Sequence, residues 1–179
     1  MLFYHAGEVI FPVKGGDARI EVAGDLSDGD FCFTVHADRA FALTLRIPEW
    51  SVAANVTVCG EDLPAEGGFV TIKRTWREGD QVTLSLRPLL RGESKNGKLA
   101  LSYGPFVLAR DQGKESFFAP RRIAFDGEPT YRKLCPENGE RIRLEVPTRC
   151  GKMLLTDYAS CGKHWTKRRS RVTVWQKTK

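Results

Sequence analysis

Five cysteines are the side chains in this 179-residue sequence with the clearest capacity for metal binding or nucleophilic attack. No two of them form a Cys-x-x-Cys pair, and none of the three histidines lies beside them at a ligand spacing. Their number is odd, and free cysteine commonly packs as a small hydrophobic side chain. We therefore expect no metal site and no cofactor, and thiols kept in a reducing compartment. The cysteines are Cys32, Cys59, Cys135, Cys150 and Cys161.

Carboxylates could cleave a glycosidic bond if two of them faced each other roughly 5–10 Å apart. Most candidates lie in predicted turns, where acids are common because they hydrogen-bond the local backbone. His36, beside Asp38, has no Gly-x-Ser-x-Gly elbow to serve it as a partner. We expect no catalytic residue in this chain. The turn acids are Asp25, Asp28, Asp30, Glu61, Asp62, Glu78 and Asp80.

A glycine-rich stretch at residues 92–98 has the spacing of a phosphate-binding loop until its last position. Leu99 stands where such a loop needs Ser or Thr, and a strand pattern follows where a helix is required. Asn96-Gly97 instead favours a two-residue hairpin turn, because both residues tolerate positive φ. The stretch is predicted to be a β-hairpin.

Tryptophan rings could stack on the C–H faces of sugars, and three of them are candidate ligand-binding residues: Trp50, Trp76 and Trp165. In small β-sandwiches aromatic rings also fill the space between the sheets. The sequence leaves both roles open for each ring.

The net charge of +6 is concentrated in the tail. Residues 163–179 hold seven basic residues and no acid, whereas the first 162 residues carry 21 basic and 22 acidic residues. The body therefore lacks the bias of a nucleic-acid-binding domain, and we do not expect a nucleic-acid partner.

No apolar run of about 18 residues exists, and the first ten residues lack a signal-peptide pattern. This predicts neither a membrane partner nor export, and therefore a cytoplasmic location.

The elements that would position these residues are strands, because apolar residues recur with a period of two almost throughout. Phe31-Cys32-Phe33-Thr34-Val35 is one example, and turn residues bound each run. This pattern predicts an all-β fold, an antiparallel β-sandwich (jelly-roll-like) over residues 1–110. Residues 111–179 are predicted to form a less regular C-terminal β extension, a second β segment or partial second sandwich, with a closing strand at residues 171–175.

Several strand motifs together resemble the carboxy-terminal β-sandwich region of family 127 glycoside hydrolases, the β-L-arabinofuranosidase-like proteins. The resemblance covers about residues 9–176 and is poorest at residues 111–149. The motifs are Leu45-Arg46-Ile47-Pro48-Glu49-Trp50, Val56-Thr57-Val58-Cys59-Gly60, and residues 68–86, 99–107 and 171–175.

The resemblance implies a reaction carried out elsewhere. In that family an α/α barrel before the sandwich holds a cysteine nucleophile, a zinc site and an acidic acid/base residue, and no cysteine of this chain lies in a matching motif. The implied role is a non-catalytic accessory module that supports the catalytic barrel or dimerisation. The expected partners are that barrel, as a domain or a separate chain, and, as candidates, a glycan and a second copy of this chain. The alternative is a free-standing carbohydrate-binding module that uses exposed aromatic residues.

Overall fold

The computed structural model describes residues 4–65, 67–112, 130–149, 151–163 and 171–178. The chain divides into two compact units, Met1–Pro88 and Leu89–Lys179. Apart from one 3-10 turn, Tyr158–Ser160, the regular structure of the described residues consists of β-strands, all paired antiparallel. Within these ranges, no helix is long and apolar enough to cross a membrane.

The first unit contains a six-stranded sheet and a two-stranded sheet. Its strands are β1 Gly7–Val13, β2 Gly16–Asp25, β3 Asp30–His36, β4 Ala40–Ile47, β5 Ser51–Val58, β6 Glu61–Leu63, β7 Gly68–Thr75 and β8 Asp80–Pro88. The larger sheet has the order β1-β2-β3-β8-β5-β6, and β4 pairs with β7 to form the smaller one. β8, the last strand of the unit, therefore lies in the middle of the larger sheet and pairs with both β3 and β5.

The core of the first unit lies between these two sheets. Alternate residues of each strand point inward, so that Phe33 and Leu84 from the larger sheet and Leu45 from the smaller one are fully buried. Tyr4 also packs in this core, where its ring lies 5.0 Å from that of Phe31 and its hydroxyl donates a hydrogen bond to the Arg46 carbonyl. The period of two in the sequence thus becomes a sandwich with one apolar interior.

The turn between β2 and β3 requires glycine at position 29, because the backbone of β8 approaches this residue closely. Its φ is +84°, and a Cβ atom there would lie 2.4 Å from the Leu86 carbonyl oxygen. Leu86 in turn donates its N–H to the Gly29 carbonyl at 2.8 Å. Glycine therefore allows this turn to contact β8 directly.

The second unit has its own sheet and its own core. Its strands are β9 Leu90–Lys95, β10 Lys98–Tyr103, β11 Phe106–Asp111, β12 Arg132–Lys133, β13 Arg143–Thr148, β14 Gly151–Asp157, β15 Val172–Thr173 and β16 Gln176–Lys177. The sheet order is β12-β13-β14-β11-β10-β16, while β9 pairs with β10 and β15 pairs with β11. Leu144, Met153 and Leu155 are among its most buried residues.

The predicted all-β antiparallel sandwich is confirmed. The hairpin at Asn96-Gly97 is also present, with φ of +50° and +69° at these two residues. The division between the units falls after Pro88, earlier than the predicted boundary near residue 110, because β9, β10 and β11 pair with strands of the second unit. The closing strand predicted at residues 171–175 is instead two short strands, β15 and β16, separated by a bend at Val174 and Trp175.

Candidate functional site

Trp76 follows the end of β7 and is completely buried. Its ring stacks on Phe41 at a centroid distance of 5.4 Å, and its Nε1 donates a hydrogen bond to the Phe41 carbonyl at 3.1 Å. The Arg74 guanidinium lies over the ring, 5.4 Å from its centroid. No ring face is left for a sugar, which corrects the assignment of Trp76 as a ligand-binding residue.

The other two candidate tryptophans differ from Trp76. Trp50 lies in the turn between β4 and β5, is half-buried and packs against the core of the first unit. Its ligand-binding role stays a prediction. Trp165 lies outside the described residues, as does most of the basic segment that surrounds it in the sequence.

Two aromatic residues of the described ranges are markedly exposed, and neither was expected from the sequence to bind a ligand. Phe69, on β7 of the first unit, is 59% exposed, and Tyr158, in the 3-10 turn of the second unit, is 56% exposed. An isolated exposed ring is common on protein surfaces. In the sequence, Phe69 follows Gly68 at a strand start, and only the alternation of β7 indicates that it faces away from the core.

His36, at the end of β3, lies beside two carboxylates. Its Nδ1 lies 2.5 Å from Glu78 Oε1, and its Nε2 lies 3.7 Å from Glu21 Oε2. Asp38 accepts a hydrogen bond from the Glu78 backbone N–H at 3.2 Å. The cluster holds the turn before β8 against β3. Both ring nitrogens of the histidine face carboxylates, so the group connects β3 to β2 and to the turn before β8.

Asp80 organises the same turn from its other side. Its carboxylate accepts the Arg77 backbone N–H at 3.0 Å and lies 3.5 Å from the Arg74 guanidinium. The Arg77 hydrogen bond is the main reason that the pKa of Asp80 is held below its usual value of 3.8. Cys59, an exposed thiol, accepts a hydrogen bond from Arg74 at 3.3 Å. The group connects the end of β5, β7 and the start of β8.

In the second unit four charged side chains are almost fully buried, and none of them was a candidate from the sequence. Asp157 accepts the backbone N–H groups of Arg141 and Ile142 at 2.7 and 3.1 Å. Glu140 accepts those of Glu137 and Asn138 at 3.1 and 2.7 Å. Each carboxylate thus satisfies loop backbone donors that would otherwise be buried without a partner. The four residues are Arg110, Asp111, Glu140 and Asp157.

Asp111 contacts the turn that follows the 3-10 turn, because its carboxylate accepts the Gly162 N–H at 2.9 Å. A sequence signal for these residues exists but is weak. In β11 the alternation fails, and Leu108, Ala109, Arg110 and Asp111 are buried in succession. A continuous buried run that ends in two charges indicates a strand covered on both faces.

Metal binding has no support in the ranges that the structure describes, where no group of three or more His, Cys, Asp or Glu side chains could hold an ion. Cys32, Cys59 and Cys135 are free thiols there, the Cys161 thiol donates a hydrogen bond to the Asp157 carbonyl at 3.6 Å, and Cys150 lies outside the described residues. The carboxylates of Asp80, Glu140 and Asp157 hold turns and loops. The described residues thus define an all-β sandwich protein.

Comparison with known proteins assigns the first unit to a family. Residues 3–88 match the family model described as "Beta-L-arabinofuranosidase, GH127 middle domain". The resemblance to family 127 glycoside hydrolases is thereby confirmed, and residues 3–88 carry the middle domain of this family. A search of curated protein sequences gives no match.

Solved structures share the fold over nearly the whole chain. A glycoside hydrolase matches with a TM-score of 0.79 and 20% identity over 98% of this chain and 35% of its own. A GH127 beta-L-arabinofuranosidase from Geobacillus stearothermophilus T6 matches with a TM-score of 0.78 and 19% identity, covering 99% of this chain and 33% of its own. A GH127 beta-arabinofuranosidase has a TM-score of 0.78, 18% identity and coverages of 99% and 34%. The chain thus spans about a third of the length of these proteins.

Proposed function

We propose that this chain is a non-catalytic accessory β-sandwich module of a glycoside hydrolase similar to the β-L-arabinofuranosidases. The observation that carries the proposal is a pair of matches. One is to a family model for a middle domain, and the other is to a set of hydrolases of which this chain spans only a third. A segment of this size and type supports a role beside a catalytic domain that it does not itself contain.

The chemistry of the described side chains supports the same role. General acid/base catalysis needs a carboxyl group that faces the substrate and is free to exchange its proton. Asp157 and Glu140 are instead buried and receive two backbone N–H bonds each. Asp80 accepts a turn N–H in the same way. These acids hold loops in place, which favours a scaffold function.

The catalytic α/α barrel is the proposed partner, either as a domain of the same polypeptide or as a separate chain. A sandwich with its own core can support such a barrel as a rigid neighbour, because its strands are fixed by packing and not by the partner. The fully buried cores of both units, around Phe33 and Leu144, provide that rigidity.

The proposal is tested by comparing three proteins in hydrolysis of a β-L-arabinofuranoside: the enzyme encoded by the complete gene, the same enzyme without this segment, and the isolated chain. We expect activity in the complete enzyme, loss of activity or of thermal stability without the segment, and no hydrolysis by the isolated chain. Hydrolysis by the isolated chain would overturn the non-catalytic role. A complete gene that encodes no catalytic domain, with no active partner chain, would overturn the accessory role.

A further inference from the structure

The chain contains two Asn-Gly pairs, Asn96-Gly97 and Asn138-Gly139, and both asparagines are exposed to solvent. In such a pair the backbone nitrogen that follows the asparagine can attack the side-chain amide, because glycine has no side chain to block the approach. The two pairs therefore have the same chemistry available to them. The backbone around each pair decides whether the attack occurs.

The first pair is held in the two-residue turn between β9 and β10. Lys95 and Lys98 pair across the strands on either side of it, and the φ angles of Asn96 and Gly97 are +50° and +69°. Such a turn is of type I′, in which the ψ of the first turn residue is about +30°. At that ψ the Gly97 nitrogen points away from the Asn96 side chain. The Gly97 carbonyl also accepts two hydrogen bonds from Thr178, at 3.3 and 3.0 Å.

The second pair lies in the loop before β13, outside the strand ladders, and Asn138 does not have a positive φ. The groups on either side of the Asn138–Gly139 peptide are held. Glu140 accepts the Asn138 N–H at 2.7 Å, and Ser160 and Lys163 donate to the Gly139 carbonyl at 3.4 and 3.3 Å. The peptide itself, which must rotate for the attack, makes no hydrogen bond to any described residue through its own C=O or N–H.

We propose that Asn138 is a site of spontaneous deamidation and isoaspartate formation in the folded chain, whereas the hairpin protects Asn96. The Gly139 backbone nitrogen gives up its proton and forms a bond to the side-chain carbonyl carbon of Asn138. The bond from that carbon to the amide nitrogen breaks, and ammonia leaves with the proton, so that a cyclic succinimide remains. Water then opens the ring at one of its two carbonyls. One opening gives aspartate, and the other gives isoaspartate, in which the main chain runs through the former side chain.

Isoaspartate at this position changes the attachment of the loop to a buried carboxylate. Glu140 is 5% exposed and accepts the backbone N–H groups of Glu137 and Asn138 at 3.1 and 2.7 Å. Isoaspartate adds a methylene group to the main chain between the Asn138 N–H and Glu140, so the two hydrogen bonds cannot both keep their geometry. A buried carboxylate that loses donors destabilises the folded state. Ageing should therefore lower the stability of the second unit.

Peptide mapping of the aged chain tests the site, with Asn96 as a control in the same molecule. The folded chain is incubated in mildly alkaline buffer and digested with chymotrypsin, which releases residues 91–99 and 135–144 as separate peptides. We expect conversion of amide to acid in residues 135–144. Conversion in residues 91–99 should be at least about tenfold slower, because the hairpin has to open first. Equal rates, or no conversion at Asn138, would overturn the proposal.

The same incubation in guanidinium chloride separates the effect of the folded backbone from that of the neighbouring side chains. The hairpin is absent from the unfolded chain, so the two rates should agree within about threefold. A tenfold difference that persists in the denaturant would show that the flanking lysines and glutamates cause it, and would overturn the protection by the hairpin.

Asn138→Gln tests the consequence for the loop, because the longer side chain does not close the same ring. Isoaspartate is detected by an isoaspartyl methyltransferase, which transfers a labelled methyl group from S-adenosylmethionine to the new carboxylate. We expect label in residues 135–144 of the aged wild type and none in the variant. The aged wild type should also unfold at lower urea concentration than the fresh protein, and the variant should change less. Equal losses of stability in both proteins would overturn the effect on the loop.

Discussion

Trp76 donates its indole N–H to the backbone carbonyl of Phe41, 35 residues earlier in the chain, and stacks on the ring of the same residue. This one pair joins the end of β7 to β4 through both a hydrogen bond and an aromatic contact. It also explains why the ring that sequence alone made a candidate for sugar binding is part of the core. A buried indole usually needs such a partner for its N–H.

Replacement of Trp76 by alanine should therefore destabilise the first unit severely. The fully buried ring and its hydrogen bond are both lost, at a cost of about 3–5 kcal/mol. Trp50→Ala is the control and should cost clearly less, because Trp50 is only half-buried. Urea unfolding followed by far-ultraviolet circular dichroism measures both changes without using tryptophan fluorescence. Equal costs would contradict the assignment of Trp76 to the core.

Comparison of Gly29→Ala with Gly79→Ala separates two costs of an added Cβ atom, the steric clash with a neighbouring strand and the strain of a left-handed backbone. The two glycines have nearly the same φ, +84° and +83°, but only Gly29 has the Leu86 carbonyl 2.4 Å from its Cβ position. Gly79→Ala should cost about 1 kcal/mol, from the left-handed backbone alone. Gly29→Ala should cost about 3 kcal/mol or more, because β8 must move. The midpoints of thermal unfolding measure the difference, and similar midpoints would show that the turn is not packed against β8.

The raised pKa of Tyr4 predicts that the first unit loses stability at alkaline pH. Burial raises the pKa of Tyr4 to about 12 from its usual value of 10.0. Because the unfolded chain ionises first, the contribution of neutral Tyr4 is complete below about pH 10 and is lost as the pH rises through about 12. Tyr4→Phe should flatten the fall in unfolding free energy over this range, and should cost about 1 kcal/mol near neutrality. Tyr158→Phe, at an exposed tyrosine, is the control. An unchanged alkaline profile in Tyr4→Phe would contradict the buried position of the hydroxyl.

The lowered pKa of Asp80 predicts that the first unit loses stability at acidic pH. Its pKa is lowered mainly by the Arg77 backbone N–H, so its stabilising effect is present above about pH 4 and is lost as the pH falls through the lowered value. Asp80→Asn should therefore be less stable than the wild type at pH 7, and the difference should shrink toward pH 2. Urea midpoints over this range measure it. A difference that does not depend on pH would show that the charge of Asp80 is not involved.

Local patterns predicted much of the fold. The alternation in β3 and the Asn96-Gly97 turn correspond directly to elements of the structure, because a strand face and a two-residue turn are determined by neighbouring residues. The order of strands could not be predicted in this way. β8 pairs with both β3 and β5, and β4 leaves the larger sheet to pair with β7. These choices depend on contacts between residues far apart in the chain.

The same distinction applies to the candidate residues. Trp76 lies between polar neighbours, Thr75-Trp76-Arg77-Glu78, so nothing local indicates that it is fully buried. Arg110 and Asp157 are charged residues that local rules place at the surface, yet both are buried in the second unit. The carboxylate of Asp157 accepts hydrogen bonds from the Arg141 and Ile142 backbone N–H groups. The periodicity of the sequence does not indicate this contact.

The most direct test of the accessory role is the size of the native polypeptide that contains this sequence. An antibody against the 179-residue chain should detect, in extracts of the source organism, a protein about three times as long, since the chain spans 33–35% of the hydrolases it matches. Antibody-captured material should hydrolyse a β-L-arabinofuranoside. A single species of 20.1 kDa that captures no hydrolase would contradict the accessory role.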